Sequence, residues 1–138
     1  MICVAALAAL AGCGSSTGPD VDLEGALVTV PVEVTLRFGD DLVVDGTVLR
    51  MSFAAVLEDS RCPSDVTCVW EGNAKVEIGI GAGTGPTHAL QLNTSLDPRA
   101  VEWNDVLVTL LEVTPHPVSD VPITDADYVV KLRLEPML

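Results

Sequence analysis

The sequence predicts an all-β fold: a single antiparallel β-sandwich of the immunoglobulin-like kind, with a small β-barrel as the alternative. Three observations lead to this prediction. Apolar and polar residues alternate with a period of two in several segments, which is typical of strands that bury one face. Turn-forming residues separate these segments roughly every 8–12 residues. No segment has the 3.6-residue period of an amphipathic helix.

The first alternating segment runs from residue 27 to residue 38. Its apolar residues occupy every second position: Val28, Val30, Val32, Val34, Leu36 and Phe38. Pro31 lies on the other face and has no N–H to donate, so it favours an edge strand or a bulge. A hairpin follows, because Asp45-Gly46 tolerates the positive φ angles of a type I′ turn. The return strand alternates through Leu49, Met51, Phe53 and Ala55 and ends at residues 56–57.

The remaining strands follow a loop that contains two cysteines. Residues 74–80 alternate strictly, and a glycine-rich turn at 81–86 separates them from a short strand at 88–92. Further strands are predicted at 106–113 and 128–134, which makes seven or eight in all. Residues 125–128 loosely resemble the tyrosine corner of immunoglobulin-like domains, with Tyr128 as its tyrosine. Neither a repeat nor a second domain is visible.

The first twelve residues are apolar and uncharged. They are too few to span a bilayer, but their length suits the apolar region of a signal peptide. The Leu10-Ala11-Gly12-Cys13 sequence resembles the lipobox of bacterial lipoproteins. That resemblance implies cleavage before Cys13 and attachment of acyl chains, such as palmitate, to this cysteine. A signal peptide normally begins with Lys or Arg, whereas only Met1 precedes the apolar run here.

These features divide the chain into three parts. Residues 1–12 are predicted to be a lipoprotein signal peptide, residues 13–26 a lipidated flexible tether, and residues 27–138 the β-sandwich domain. The Gly-Ser-Ser-Thr-Gly-Pro tract at 14–19 supports the tether. We therefore expect a protein of the bacterial cell envelope that is bound to the membrane through the lipid on Cys13. Gly14 resembles the residue that follows the cysteine in lipoproteins of the outer membrane, so we expect that membrane.

Cys62 and Cys68 are the pair that remains after Cys3 is removed and Cys13 is lipidated. An exported protein meets an oxidising compartment, so the pair is predicted to form a disulfide. The bridge closes a loop of seven residues, which in the chain-entropy description stabilises a fold by roughly 2–2.5 kcal/mol. A metal site is disfavoured, because the spacing is not Cys-x2-Cys and no histidine lies nearby.

The sequence around this pair is the most distinctive in the chain. It reads EDSRCP at residues 58–63 and CVWEGNA at residues 68–74. This pattern resembles one that recurs in a group of small exported proteins and lipoproteins of bacteria, and the resemblance covers about residues 36–134. No activity is assigned to that group, so the resemblance implies an architecture and a location but no mechanism.

Residues 58–73 form the candidate binding loop. We expect Arg61 to project a charge from this loop. The favoured interpretation of the segment is structural: the bridge pins a long crossover, and Trp70 packs over it as part of the core. The alternative is a recognition surface to which Trp70 contributes a flat apolar face, because loops held on a rigid sheet commonly carry binding functions.

Composition and motifs favour a non-enzymatic protein. A net charge of −13 disfavours nucleic acid as a partner. Neither His88 nor His116 accompanies a nucleophile motif, and the aspartates at 40, 41 and 45 lack the spacing of an EF-hand loop. We predict no catalytic, metal-binding or cofactor-binding residue and no cofactor. The expected function is that of a monomeric interaction or structural module with a possible partner protein in the envelope. The alternative is an exported inhibitor or ligand-binding protein that uses residues 58–73.

Overall fold

The computed structural model describes residue 28 and residues 31–137. These residues form eight strands and one short 3-10 helix: β1 (Val32–Arg37), β2 (Asp41–Val43), β3 (Leu49–Asp59), β4 (Ala74–Ala82), β5 (His88–Asn93), β6 (Ala100–Trp103), β7 (Val106–Thr114), η1 (Asp125–Asp127) and β8 (Val129–Pro136). The predicted signal peptide at 1–12 and tether at 13–26 lie outside the described residues.

The strands form two antiparallel sheets of four. One sheet has the order β1-β8-β7-β6 and the other the order β2-β3-β4-β5. The all-β sandwich is thereby confirmed, and the barrel alternative is wrong because neither sheet closes within the described part of the chain. The strand order differs from that of immunoglobulin domains, because one sheet consists of four strands that are consecutive in sequence, β2 to β5.

The core lies between the two sheets and consists of the alternating residues that the sequence pattern indicates. In β4, the side chains of Ala74, Val76, Ile78 and Ile80 are all fully buried. Phe53 of β3 packs edge-to-face against Phe38, with 5.5 Å between ring centroids. Such a geometry is favoured by the quadrupoles of the two rings.

Three details of the strands are informative. β1 begins directly after Pro31 and is an edge strand, as the proline indicates. The hairpin between β2 and β3 is present, but a type I′ turn is wrong, because of its two central residues only Gly46 has a positive φ. The sequence pattern does not predict β6, since Ala100–Trp103 has only four residues and shows no clear alternation.

The two ends of the sandwich differ in what they carry. At one end, here called the loop end, β3, β5 and β7 finish and β4 and β8 begin. Residues 58–73, 94–99 and 114–128 connect the strands there. Val32, the first residue of β1, pairs with Leu134 near the last residue of β8, so the N-terminal segment enters at the opposite end. A strand of eight residues spans roughly 25 Å, which is the separation of the two ends.

Candidate functional site

Arg61 lies inside the loop end, with only 9% of its surface exposed. Its Nε and Nη2 atoms donate hydrogen bonds of 2.8 Å to the two carboxylate oxygens of Asp59. Its Nη1 donates to the carbonyl oxygen of Val113 at 2.6 Å, and Nη2 donates also to that of Pro115 at 2.9 Å. The prediction that Arg61 projects a charge is therefore wrong. The guanidinium is retained in the interior because it satisfies a carboxylate and two carbonyl groups, one in β7 of the opposite sheet and one just after that strand.

Tyr128 completes this buried cluster. Its hydroxyl donates a hydrogen bond of 2.7 Å to Asp59 Oδ2, whereas a tyrosine corner places that hydroxyl on the backbone, so the predicted corner is wrong in its partner. Burial, the hydrogen bond to Asp59 and the charge of that carboxylate together raise the pKa of Tyr128 to about 12. Burial also raises the pKa of Asp59, but the hydrogen bonds from Arg61 and Tyr128 and the charge of Arg61 outweigh it and hold the pKa below 3.8.

Because of the cluster of Asp59, Arg61 and Tyr128, we expect the folded protein to lose stability at both high and low pH. Tyrosine in the unfolded chain ionises near 10.0 but Tyr128 only at about 12, so its contribution is present below pH 10 and is lost between these values. The lowered pKa of Asp59 contributes stability above pH 3.8 that is lost as the pH falls through the folded-state pKa.

The sequence contains one tyrosine, so the absorbance of tyrosinate reports the ionisation of Tyr128 alone. We expect Asp59→Asn to lower this pKa towards 10; an unchanged midpoint would contradict the assigned cause.

Asn73 joins two of the loops at this end and is almost fully buried. Its Oδ1 accepts hydrogen bonds from the backbone N–H groups of Ser95, at 3.0 Å, and Leu96, at 3.2 Å. Its Nδ2 donates to Oδ1 of Asn93 at 2.9 Å, and Asn93 in turn donates to the carbonyl of Pro98. Sequence reasoning missed both asparagines. Their position directly beside strand ends was a usable signal, since asparagine commonly satisfies backbone groups where a ladder stops.

The disulfide between Cys62 and Cys68 is confirmed, with a Cα–Cα distance of 5.9 Å. The bridged segment, here called the cysteine loop (residues 62–68), is held against residues 115–119 by three hydrogen bonds. His116 Nε2 lies 2.8 Å from the carbonyl oxygen of Cys62, the N–H of Ser64 donates to Pro117, and the N–H of Ser119 donates to Asp65. The last bond lowers the pKa of the Asp65 carboxyl group. Bridge and bonds together leave the loop little freedom.

Apolar side chains project from this braced framework into solvent. Val69 is fully exposed and Trp70 is 51% exposed, so the expectation that Trp70 packs into the core is wrong. Six of the ten large apolar side chains that are exposed in the described residues lie in the three loops of this end: Val66, Val69, Trp70, Leu96, Val118 and Val121. We call these six residues the apolar cap. Since every loop that carries them is hydrogen-bonded to another, the cap is a prearranged surface.

Except for His116, the candidate catalytic and metal-binding residues lie away from the cap. His88 contacts Trp103 across the edges of the two sheets, with 5.8 Å between ring centroids and an angle of 47° between the ring planes. Asp40 accepts the backbone N–H of Arg37 at 2.8 Å and so serves the turn after β1. Within residues 28 and 31–137, no group of three His, Cys, Asp or Glu side chains is placed to hold a metal ion. No helix in the same residues is long and apolar enough to cross a membrane.

The fold and the site together define a two-sheet β protein whose disulfide-braced end presents an apolar surface. Comparison of the chain with protein-family models, curated proteins and solved structures gives no match.

Proposed function

We propose that the protein is a non-enzymatic, lipid-anchored module of the bacterial cell envelope that binds a partner protein through the apolar cap. One observation carries this proposal: Trp70 and Val69 are held out in solvent on a loop that a disulfide and several hydrogen bonds make rigid. An exposed tryptophan on a folded surface is among the side chains that contribute most to protein interfaces. A rigid loop adds affinity because little conformational entropy is lost on binding.

The position of the cap suits a protein that is anchored by its N-terminal segment. The chain enters β1 at the end of the sandwich opposite the loop end. If residues 13–26 are the tether that their composition predicts, a flexible chain of that length has a root-mean-square extension of roughly 20 Å, and the sandwich adds roughly 25 Å. An anchor on Cys13 would therefore direct the cap away from the membrane and towards other proteins of the envelope.

Photo-crosslinking in living cells tests the proposed recognition. A photoreactive amino acid at Val69 is expected to give a discrete adduct. The same group at Val43 is the control, because that side chain is also exposed, at 53%, but lies outside the cap. Adducts of equal yield at both positions, or none at Val69, would contradict the proposal.

The Trp70→Ala variant separates recognition from folding. We expect it to abolish the adduct at Val69 while the free energy of unfolding changes by less than about 1 kcal/mol, because half of the indole surface is already in water. Urea denaturation measures the second quantity. A loss of several kcal/mol, as Phe53→Ala in the core should show, would return Trp70 to a structural role.

The anchor is tested by metabolic labelling with a palmitate analogue. The wild-type chain and Cys3→Ala are expected to be labelled, and Cys13→Ala is not. Equal labelling of the wild type and Cys13→Ala would overturn the lipid anchor without bearing on the cap.

A second candidate function is supported by a groove beside the cap. The groove has a volume of about 330 Å³, and its lining includes Glu71, Ser95, Arg99 and His116. Cavities of this size lie at the lower limit of those that hold small ligands. A small polar molecule with charges of both signs would suit the groove. The protein would then be an exported ligand-binding protein. This candidate would be favoured if Arg99→Ala abolished the binding of such a molecule and Trp70→Ala did not.

A further inference from the structure

The apolar cap is surrounded by negative charge. The three loops that carry it contain eight acidic residues, which are Glu58, Asp59, Asp65, Glu71, Asp97, Asp120, Asp125 and Asp127. They contain two arginines. One of these, Arg61, is buried against Asp59, and the two charges neutralise each other there. The other seven acidic residues are exposed, and Arg99 is the exposed arginine of these loops. We call these seven carboxylates the acidic rim of the cap.

This charge pattern limits what can cover the cap. A second copy of the chain would bring the same carboxylates into contact, and like charges at an interface cost several kcal/mol. A bilayer rich in anionic lipids would repel the rim in the same way. A protein surface with an apolar pocket and a rim of Lys and Arg satisfies both the exposed side chains and the carboxylates.

We propose that the partner of the apolar cap is a basic protein surface, on which an apolar pocket receives Trp70 and Val69 and lysine or arginine side chains meet Glu71 and Asp97. This inference rests on the proposed function. The two kinds of contact contribute differently: the buried indole holds the complex together, and the carboxylates steer its formation and make the affinity fall with rising salt.

Titration of the full chain with defined peptides tests the charge of the partner. Three synthetic peptides of equal length are used: one of Lys, Leu and Trp, one with Glu in place of Lys, and one of Lys, Gly and Ser. We expect the first peptide alone to bind, with nuclear magnetic resonance shifts confined to the loop end. We expect Trp70→Ala to weaken this binding at least tenfold, and Glu71→Gln combined with Asp97→Asn about fivefold, since an exposed ion pair contributes at most about 1 kcal/mol.

The matched control is Glu77→Gln combined with Glu102→Gln, which removes the same charge from the outer faces of the two sheets. It should bind the first peptide as the wild type does. The inference is overturned if both double variants weaken binding equally, if the Lys-Gly-Ser or Glu peptide binds as well as the first, or if no peptide binds. An adduct at Val69 that persists in these cases would still support recognition by the cap, so the two proposals fail separately.

Discussion

Replacing Arg61 with methionine is expected to lower the free energy of unfolding by about 3–5 kcal/mol, the range found when one partner of a buried ion pair is removed. The side chains of Arg61 and Asp59 are only 7% and 11% exposed. In the variant, the Asp59 carboxylate loses both guanidinium donors and keeps the hydroxyl of Tyr128 and, at 3.4 Å, the backbone N–H of residue 61. The carbonyl groups of Val113 and Pro115 lose their donor as well. Methionine preserves the length of the side chain, so lost packing contributes little.

Urea denaturation measures this effect, and Arg99→Met is its control because Arg99 is exposed and should change stability by less than about 0.5 kcal/mol. Adding Asp59→Asn to the Arg61→Met variant should recover part of the loss, since a neutral amide is less costly to bury than an unpaired carboxylate. A loss below about 1 kcal/mol for Arg61→Met would show that the cluster does not connect the two sheets.

Replacing Gly72 with alanine is expected to lower the free energy of unfolding by about 2–5 kcal/mol. Gly72 has a φ of +73°, where a side chain costs about 1–2 kcal/mol. In addition, a Cβ atom there would overlap the backbone of Ser60 and Arg61. The backbone cannot easily move apart, because the N–H of Ser60 donates to Asn73 and that of Cys62 donates to Glu71, both at 2.8 Å. Overpacking of this kind adds about 1–3 kcal/mol.

Gly46→Ala separates the two contributions. Gly46 has nearly the same φ, +74°, but nothing lies within 4 Å of an added Cβ. We expect this control to lose only the backbone contribution of about 1–2 kcal/mol. Equal losses in the two variants, measured by urea denaturation, would contradict a close approach at Gly72.

The strands of the core could be predicted because their signal is local. Side chains alternate across a strand, so the spacing of Val76, Ile78 and Ile80 alone assigns their buried face. The same signal was too short for β6, and the turn at Asp45 depended on a φ angle that the dipeptide permits but does not impose.

The position of the candidate site could be predicted from the sequence, but the roles of its residues could not. The unusual EDSRCP and CVWEGNA segments and the spacing of the two cysteines pointed to the end of the sandwich where the cap lies. Arg61 was expected to be exposed and Trp70 to be buried. In the structure, Arg61 is buried and Trp70 is half exposed. Polarity alone predicts the opposite, because it cannot reveal which distant groups are available as partners.

Local patterns are sufficient to predict an all-β chain with one buried face per strand and one pair of cysteines close enough to be bridged. Each of these depends on residues that are near one another along the chain. The burial of Arg61 depends on long-range packing, since the carbonyl groups that accept its hydrogen bonds belong to Val113 and Pro115, more than fifty residues away. A buried charge is stable only where its partners converge, and convergence is a property of packing rather than of sequence.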